Sequence, residues 1–190
     1  MGDFFVHETS IIDRNVQIGN GTKIWCFCHI QSGAQIGANC SFGQNVNIAN
    51  NVKIGNRVKI QNNVSVYEGV ELEDYVFCGP SMVFTNDLTP RGRYPKGSLG
   101  YRKTLIRHDA TLGANCTVVC GNIVGEYATI AAGAVVTRDV KPYALMAGIP
   151  ARRIGWVCQC GQVLNENFTC PDCGMEYVCS NGDLVLKNTG

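Results

Sequence analysis

From Ile12 onward the chain places a large apolar residue at every sixth position. The series runs Ile12, Ile18, Ile24, Ile30, Ile36, Phe42, Ile48, Ile54, Ile60, Val66 and Leu72, and closes with Cys78 and Phe84. Four residues after each of the first eleven stands a small or β-branched one: Val16, Thr22, Cys28, Ala34, Cys40, Val46, Val52, Val58, Val64, Val70 and Val76. The positions between are mostly polar. A period of six is neither the 3.6 of a helix nor the plain alternation of an ordinary strand. It suits a coil with flat sides, one hexad to a side, two inward side chains per side and a turn between.

Glycine follows the aliphatic at Gly19, Gly37 and Gly55, eighteen residues apart, and eighteen is three hexads. The coil is therefore expected to be a three-sided prism. Asn and Gly occupy the expected corners (Asn20-Gly21, Asn50-Asn51, Asn62-Asn63), where a positive φ is tolerated. Hexapeptide repeats of this type are the signature of a parallel β-helix, whose coils stack about 4.8 Å apart so that inward residues form continuous ladders. An antiparallel sandwich would instead show hairpin turns about every 8–12 residues.

The register is lost after Phe84 and resumes at Ile106, followed by Leu112, Val118, Val124, Ile130 and Val136. Phe84 and Ile106 are 22 positions apart where a hexad needs six, so 16 residues are inserted. The insertion, expected at about 87–105, carries Arg91, Arg93, Lys96, Arg102 and Lys103 against Asp87. A long loop in a compact domain is usually functional or disordered, and a basic one can cover a phosphorylated ligand through charge-assisted hydrogen bonds.

The chain has 190 residues and a formal net charge of +1, which argues for neither nucleic acid nor membrane as a partner. No basic region followed by a long apolar stretch marks the start as a signal peptide, and no apolar run approaches a membrane span. Of the eleven cysteines, the repeat places Cys78 on the aliphatic ladder and Cys28, Cys40 and Cys116 on the small-residue ladder, as buried apolar groups. Cys26 and Cys120 fall near corners, and Cys179 is unpaired by pattern. Free core thiols suit a reducing compartment, so a cytoplasmic location is expected.

Cys158-Gln159-Cys160 and Cys170-Pro171-Asp172-Cys173 form CxC and CxxC pairs nine residues apart. Four thiolates so spaced suit a tetrahedral structural zinc; a rubredoxin-like iron site and a redox dithiol are the other readings. The domains are expected to be a β-helix over 1–155 and a small zinc-ribbon-like appendage over 156–190.

The hexads, the single loop after Phe84 and the ending AGIPARRIG (Ala147 to Gly155) together resemble the left-handed β-helix acyltransferases. That resemblance, covering about residues 5 to 157, implies the left hand, a homotrimer with sites between subunits, and acetyl-coenzyme A as cosubstrate. The stretches GQNVNI, IQNNVSVY, CGPSMVFTN and GANCTVVCG resemble the sugar-nucleotide N-acetyltransferases, most nearly those acting on the 3-amino group of UDP-2-acetamido-3-amino-2,3-dideoxy-glucuronate for bacterial surface polysaccharide. Other acceptors remain open: a dTDP-3-aminohexose, a UDP-4-amino sugar, or a hydroxyl. A non-enzymatic scaffold would need neither the basic loop nor the AGIPARRIG ending. Trimeric β-helix carbonic anhydrases need three converging zinc-binding histidines, whereas His7, His29 and His108 lie on separate coils.

Carried onto this chain, the resemblance implies coenzyme A contacts at Ala114, Ala132, Ala151, Arg152 and Arg153. Uridine and pyrophosphate contacts are expected among Asn62, Asn63, Arg57, Lys59 and loop cations such as Arg93 and Arg102. Acetyl transfer to an amine needs a neutral nucleophile, a held thioester and donors for the oxyanion. Asn86, in the FTN segment, is expected to orient the amine. With only three histidines present, His108 is the candidate base. His29 lies three coils before Asn86, about 14 Å along the axis.

Overall fold

A computed structural model describes residues 3–180 and 182–187. The hexads form short parallel strands wound into a triangular prism. The first face has nine strands, from Phe5–Val6 to Arg152–Trp156. The second has seven, from Ile11–Ile12 to Val135–Val136, and the third six, from Gln17–Ile18 to Ile123–Val124. Each strand pairs with the one a full coil later: Lys23 with Ser41, His29 with Asn47 and Gln35 with Lys53, all eighteen residues apart. Across the insertion the offset becomes 34, as in Phe77 with Thr111 and Glu71 with Leu105, so sixteen residues leave the wall without disturbing its register. The last coil is two residues short, Thr129 pairing with Leu145.

One residue of each pair in a strand points inward. Ile24, Phe42, Ile60, Cys78, Leu112 and Ile130 stack on the first face, and Ile30, Ile48, Val66, Phe84 and Val118 on the second, all buried. The small-residue ladder fills the space beneath the corners. Two buried hydroxyls join it and are satisfied: Thr22 donates to the Gly37 carbonyl (2.9 Å) and accepts from the Cys40 amide, and Thr104 accepts from the Gly121 amide. Burial pushes the Cys78 thiol up and the Cys116 thiol to about 12, which keeps these core sulfurs protonated. None of the eleven cysteines is in a disulfide.

The corner residues follow two rules. Left-handed backbone appears at Asn39, Asn51, Asn63 and Gly21, as the Asn/Gly corners imply, and also at Arg57, Tyr75, Tyr127 and Tyr143. Gly37 obeys a different rule, because a Cβ there would lie 2.5 Å from the Gly55 carbonyl oxygen of the next coil. The eighteen-residue spacing of Gly19, Gly37 and Gly55 thus marks a line where adjacent coils touch backbone to backbone.

The insertion leaves the prism at the edge between the second and third faces, and its ends are pinned by the Arg102 amide donating to the Asn86 carbonyl (2.9 Å). The third-face strand Thr104–Ile106 begins one residue before the expected end of the loop at 105. Inside the loop, the Lys96 ammonium 2.7 Å away and the Thr89 amide hold the Asp87 carboxyl below the usual carboxylate range. At the other end, Arg152–Trp156 turns back antiparallel on Ala144–Ala147, with a bulge at Leu145/Met146. This strand runs across the expected boundary at 155 into a segment that ends in a hairpin, Tyr177–Ser180 with Asp183–Leu186. Among the described residues no helix is long and apolar enough to cross a membrane.

Gly37→Ala should destabilise the prism by about 1–3 kcal/mol, because the opposing group is backbone and cannot rotate away. At about 2–4 °C per kcal/mol for a chain of this size, calorimetry should show a clearly lowered midpoint.

Candidate active site

The prism has three long edges, and the candidate residues are spread over all of them. The edge between third and first faces carries the turns Asp74-Tyr75, His108-Asp109, Glu126-Tyr127 and Pro142-Tyr143. Beside it a groove of about 690 Å³ opens along the third face. Its floor is the outward column Gln17, Gln35, Lys53, Glu71, and its wall includes Glu73, Asp74, Tyr75, His108 and Asp109. Four carboxylates thus face a single lysine.

His108 is held on several sides. Its amide donates to Glu73 Oε2 (2.9 Å), its Nδ1 lies 3.0 Å from Asp109 Oδ2, and its ring meets Tyr127 edge-on at 5.3 Å. A carboxylate only accepts, so Nδ1 carries a proton, and in the neutral imidazole this leaves the lone pair a base requires on Nε2. Glu73 also receives Arg107 at 3.3 Å. Burial, and then the charge of Asp109, push the Tyr127 phenol upward, which removes it as a base near neutrality.

Asn86 begins the loop at the opposite edge of the third face. It belongs to the same coil as His108 but is separated by the strand Thr104–Ile106, roughly 15 Å at about 3.3 Å per residue. One chain does not bring the two together. Asn62 and Asn63 lie on the remaining edge, and their carboxamide oxygens are engaged there, accepting from the Gln44 amide (2.9 Å) and from Asn45 Nδ2 (3.1 Å). Ala114 and Ala132 are later rungs of that edge, the Gly133 amide donating to the Ala114 carbonyl. Arg93 is exposed in the loop, and Arg102, also exposed, lies over Gly121.

A second pocket, of about 420 Å³, opens where the last coil ends. Ala151, Arg152 and Arg153 line it together with Arg138 and Lys141, so cations dominate. The Arg153 guanidinium sits 4.1 Å over the Trp156 ring, whereas Arg152 bonds only to the adjacent Ala151 carbonyl. Arg152 is therefore the freer of the two. Glu71, Glu73, Asp74 and Asp109 escaped the sequence reading. Three acids in the four residues 71–74 were a signal, but nothing in the pattern says that they face a groove rather than open solvent.

The sulfurs of Cys158, Cys160, Cys170 and Cys173 all lie within 4.8 Å of one another, with Cys158 and Cys173 at 3.4 Å and Cys160 and Cys170 at 3.5 Å. Tetrahedral zinc with Zn–S bonds of about 2.3 Å places sulfurs roughly 3.8 Å apart, so the donor set fits. The Cys173 amide, 3.5 Å from Cys170 Sγ, draws that thiol down to about 6, while the neighbouring sulfurs push the Cys173 thiol up to about 12.

Residues 15–50 match the bacterial transferase hexapeptide (six repeats) family, and residues 33–68 and 106–138 the hexapeptide repeat of succinyl-transferase. Over 180 residues, 94% of this chain and 92% of the other, the sequence is 46% identical to dTDP-3-amino-3,6-dideoxy-alpha-D-galactopyranose 3-N-acetyltransferase of Aneurinibacillus thermoaerophilus. A hexapeptide-repeat acetyltransferase of Vibrio cholerae O1 biovar eltor, solved with acetyl coenzyme A, superposes with TM-score 0.56 at 25% identity, over 65% of this chain and 70% of that one. A mutant N-acyltransferase of Bacillus cereus, solved with dTDP and coenzyme A, superposes with TM-score 0.51 at 17% identity over 82% and 83%, a likeness of fold.

The coil is that of the hexapeptide-repeat transferases, and the hand is the left hand of that group. Within it, the chain belongs to the sugar-nucleotide N-acetyltransferases and is an acetyltransferase. The match extends further than the motifs do: at 94% coverage it necessarily takes in residues 158 to 173, beyond the ending at Gly155.

Proposed function

We propose that the chain transfers the acetyl group of acetyl-coenzyme A to the 3-amino group of a dTDP-linked 3-amino-3,6-dideoxyhexose. The observation that carries this reading is the 46% identity over 180 residues to an enzyme named for such an acceptor. It displaces the UDP-diaminouronate expected from the loop-flanking motifs. The groove supports the change on physical grounds. A uronate would bring a carboxylate among Glu71, Glu73, Asp74 and Asp109, four acids opposed by Lys53 and by the Arg107 that pairs with Glu73, and like charges close together are unfavourable. A 6-deoxy sugar brings no carboxylate, and its amine is attracted by acids.

In this reading the amino sugar lies in the groove. His108 Nε2 takes the proton from the amine as its lone pair attacks the thioester carbonyl, and Asp109 steadies the imidazolium that forms. The tetrahedral intermediate then breaks its C–S bond and expels the coenzyme A thiolate, which takes the proton from His108. Coenzyme A places its phosphates in the cationic pocket of Arg138, Lys141, Arg152 and Arg153. Asn86, His108 and Asn62-Asn63 lie on three different edges, so one chain cannot close around both substrates. A homotrimer, in which an edge of one subunit meets a face of the next, resolves this and brings the basic loop with Arg93 and Arg102 over a neighbour's pyrophosphate. We infer further that Cys158, Cys160, Cys170 and Cys173 hold a structural zinc. The free thiols agree with a reducing cytoplasm.

Assayed with a panel of dTDP- and UDP-amino sugars, the protein should give its highest kcat/KM with a dTDP-3-amino-3,6-dideoxyhexose. A higher value with the UDP-diaminouronate would restore the displaced reading. His108→Ala should lower kcat by about 10²-fold or more; near-normal turnover would leave an oriented, already neutral amine as the mechanism. Metal analysis of protein purified without chelator should find one zinc per chain, and neither zinc nor iron would remove the site.

A further inference from the structure

The acidic groove and the four cysteines are joined by a continuous column of rings. Tyr177 donates its hydroxyl hydrogen to Cys158 Sγ (3.2 Å) and accepts from the Gln159 amide (2.9 Å). Its ring meets Tyr143 edge-on at 5.5 Å, and Gln159 Nε2 donates to the Tyr143 hydroxyl (3.1 Å). Tyr143 stacks on Tyr127 at 5.1 Å with the planes 10° apart, and Tyr127 meets the edge of His108 at 5.3 Å. His108 lines the groove, whereas Tyr127 and Tyr143 are the next rungs of the same edge and lie outside its lining.

This column is built at a cost. Tyr127 and Tyr143 have φ of 58° and 60°, where a side-chain-bearing residue is strained and where Asn39, Asn51 and Asn63 sit at other corners. Tyrosines held in that conformation need compensating contacts, and stacking supplies them. For Tyr143 the compensation comes largely from beyond the prism, from Tyr177 and Gln159. That segment is too small to bury a core of its own, so metal ligation supplies its folding energy. Losing the metal would therefore uncover Tyr143, loosen its stack on Tyr127 and release the ring that backs His108.

We propose that the tetrathiolate metal centre sets the shape of the acceptor groove through this column, with Tyr127 as the positioning residue for His108. The proposal rests on the readings of the cysteines as a metal site and of the groove as the acceptor site. By linkage, metal and acceptor each tighten the binding of the other, typically by about fivefold or more. The element with two states is the C-terminal segment, folded with metal and unravelled without it.

The protein's three histidines make the test direct, since His108 ring resonances can be followed by NMR with His7 and His29 as internal controls. Stripping the metal should shift the His108 signals alone, and zinc should return them. In calorimetry the dissociation constant for dTDP-3-amino-3,6-dideoxygalactose should rise about fivefold or more on stripping. Tyr127→Leu should keep its metal yet bind acceptor as weakly as stripped wild type, while Tyr127→Phe, which keeps the ring, should behave as wild type. Metal-loaded Tyr127→Leu that binds acceptor normally would overturn the proposal, as would His108 signals indifferent to the metal. If stripping moves all three histidines together, the Leu and Phe variants decide alone. Wild-type protein without metal would sink the zinc reading and this proposal together. Wild type that binds no acceptor would sink the acceptor reading, with the His108 resonances still reporting the coupling.

Discussion

The coils of this protein are held together by parallel backbone hydrogen bonds between strands whose paired residues lie eighteen apart, or 34 across the insertion and sixteen at the last coil, and these strands are mostly two residues long. A two-residue strand has no stability of its own. It persists because an aliphatic side chain beneath it stacks on the one above and below, and because glycines such as Gly37 let coil touch coil at the corner. The hexad cannot drift, since a slip of one residue would turn the inward ladder out to solvent. Functional groups are therefore confined to outward positions, corners and whatever leaves the wall.

That confinement explains how the candidate site residues are divided. His108 and the acids of the groove occupy one edge, Asn86 and the basic loop the second, and Asn62-Asn63 with Ala114 and Ala132 the third. A straight prism offers shallow surfaces, and the groove of about 690 Å³ exists because corner side chains rise beside the third face. Among the described residues the insertion is the one long excursion between coils. Its sixteen extra residues leave at Asn86 and return beside it, so the wall above continues in register.

The cysteine segment is where the protein departs from a bare coil. It attaches to the last coil through the strand Arg152–Trp156 and through the Tyr177–Tyr143 contact, and so sits next to the cationic pocket and at the end of the edge that carries His108. An appendage that looks separate along the sequence is joined by ring contacts to His108 at the groove. Position along the chain concealed this, because Tyr127, Tyr143 and Tyr177 fall on no common period and only the coil geometry aligns the first two.

The period of six by itself determined the prism, its three faces, the buried partners of each ladder, the place and length of the insertion, and the sorting of cysteines into core and cluster. Each of these follows from a repeat that must be kept at every residue, and so is written at every residue. The sequence also carried the family, through motifs covering most of the coil. Tertiary structure decided what depends on direction rather than period. It showed that Glu71, Glu73, Asp74 and Asp109 share one groove with His108, that the Asn62 and Asn63 carboxamides serve the corners, that Arg153 lies over Trp156 while Arg152 stays free, and that a tyrosine column ties the cysteines to the groove. The reason is physical: inward positions are constrained alike on every coil, whereas an outward residue has its meaning set by neighbours eighteen, thirty-four or more residues away.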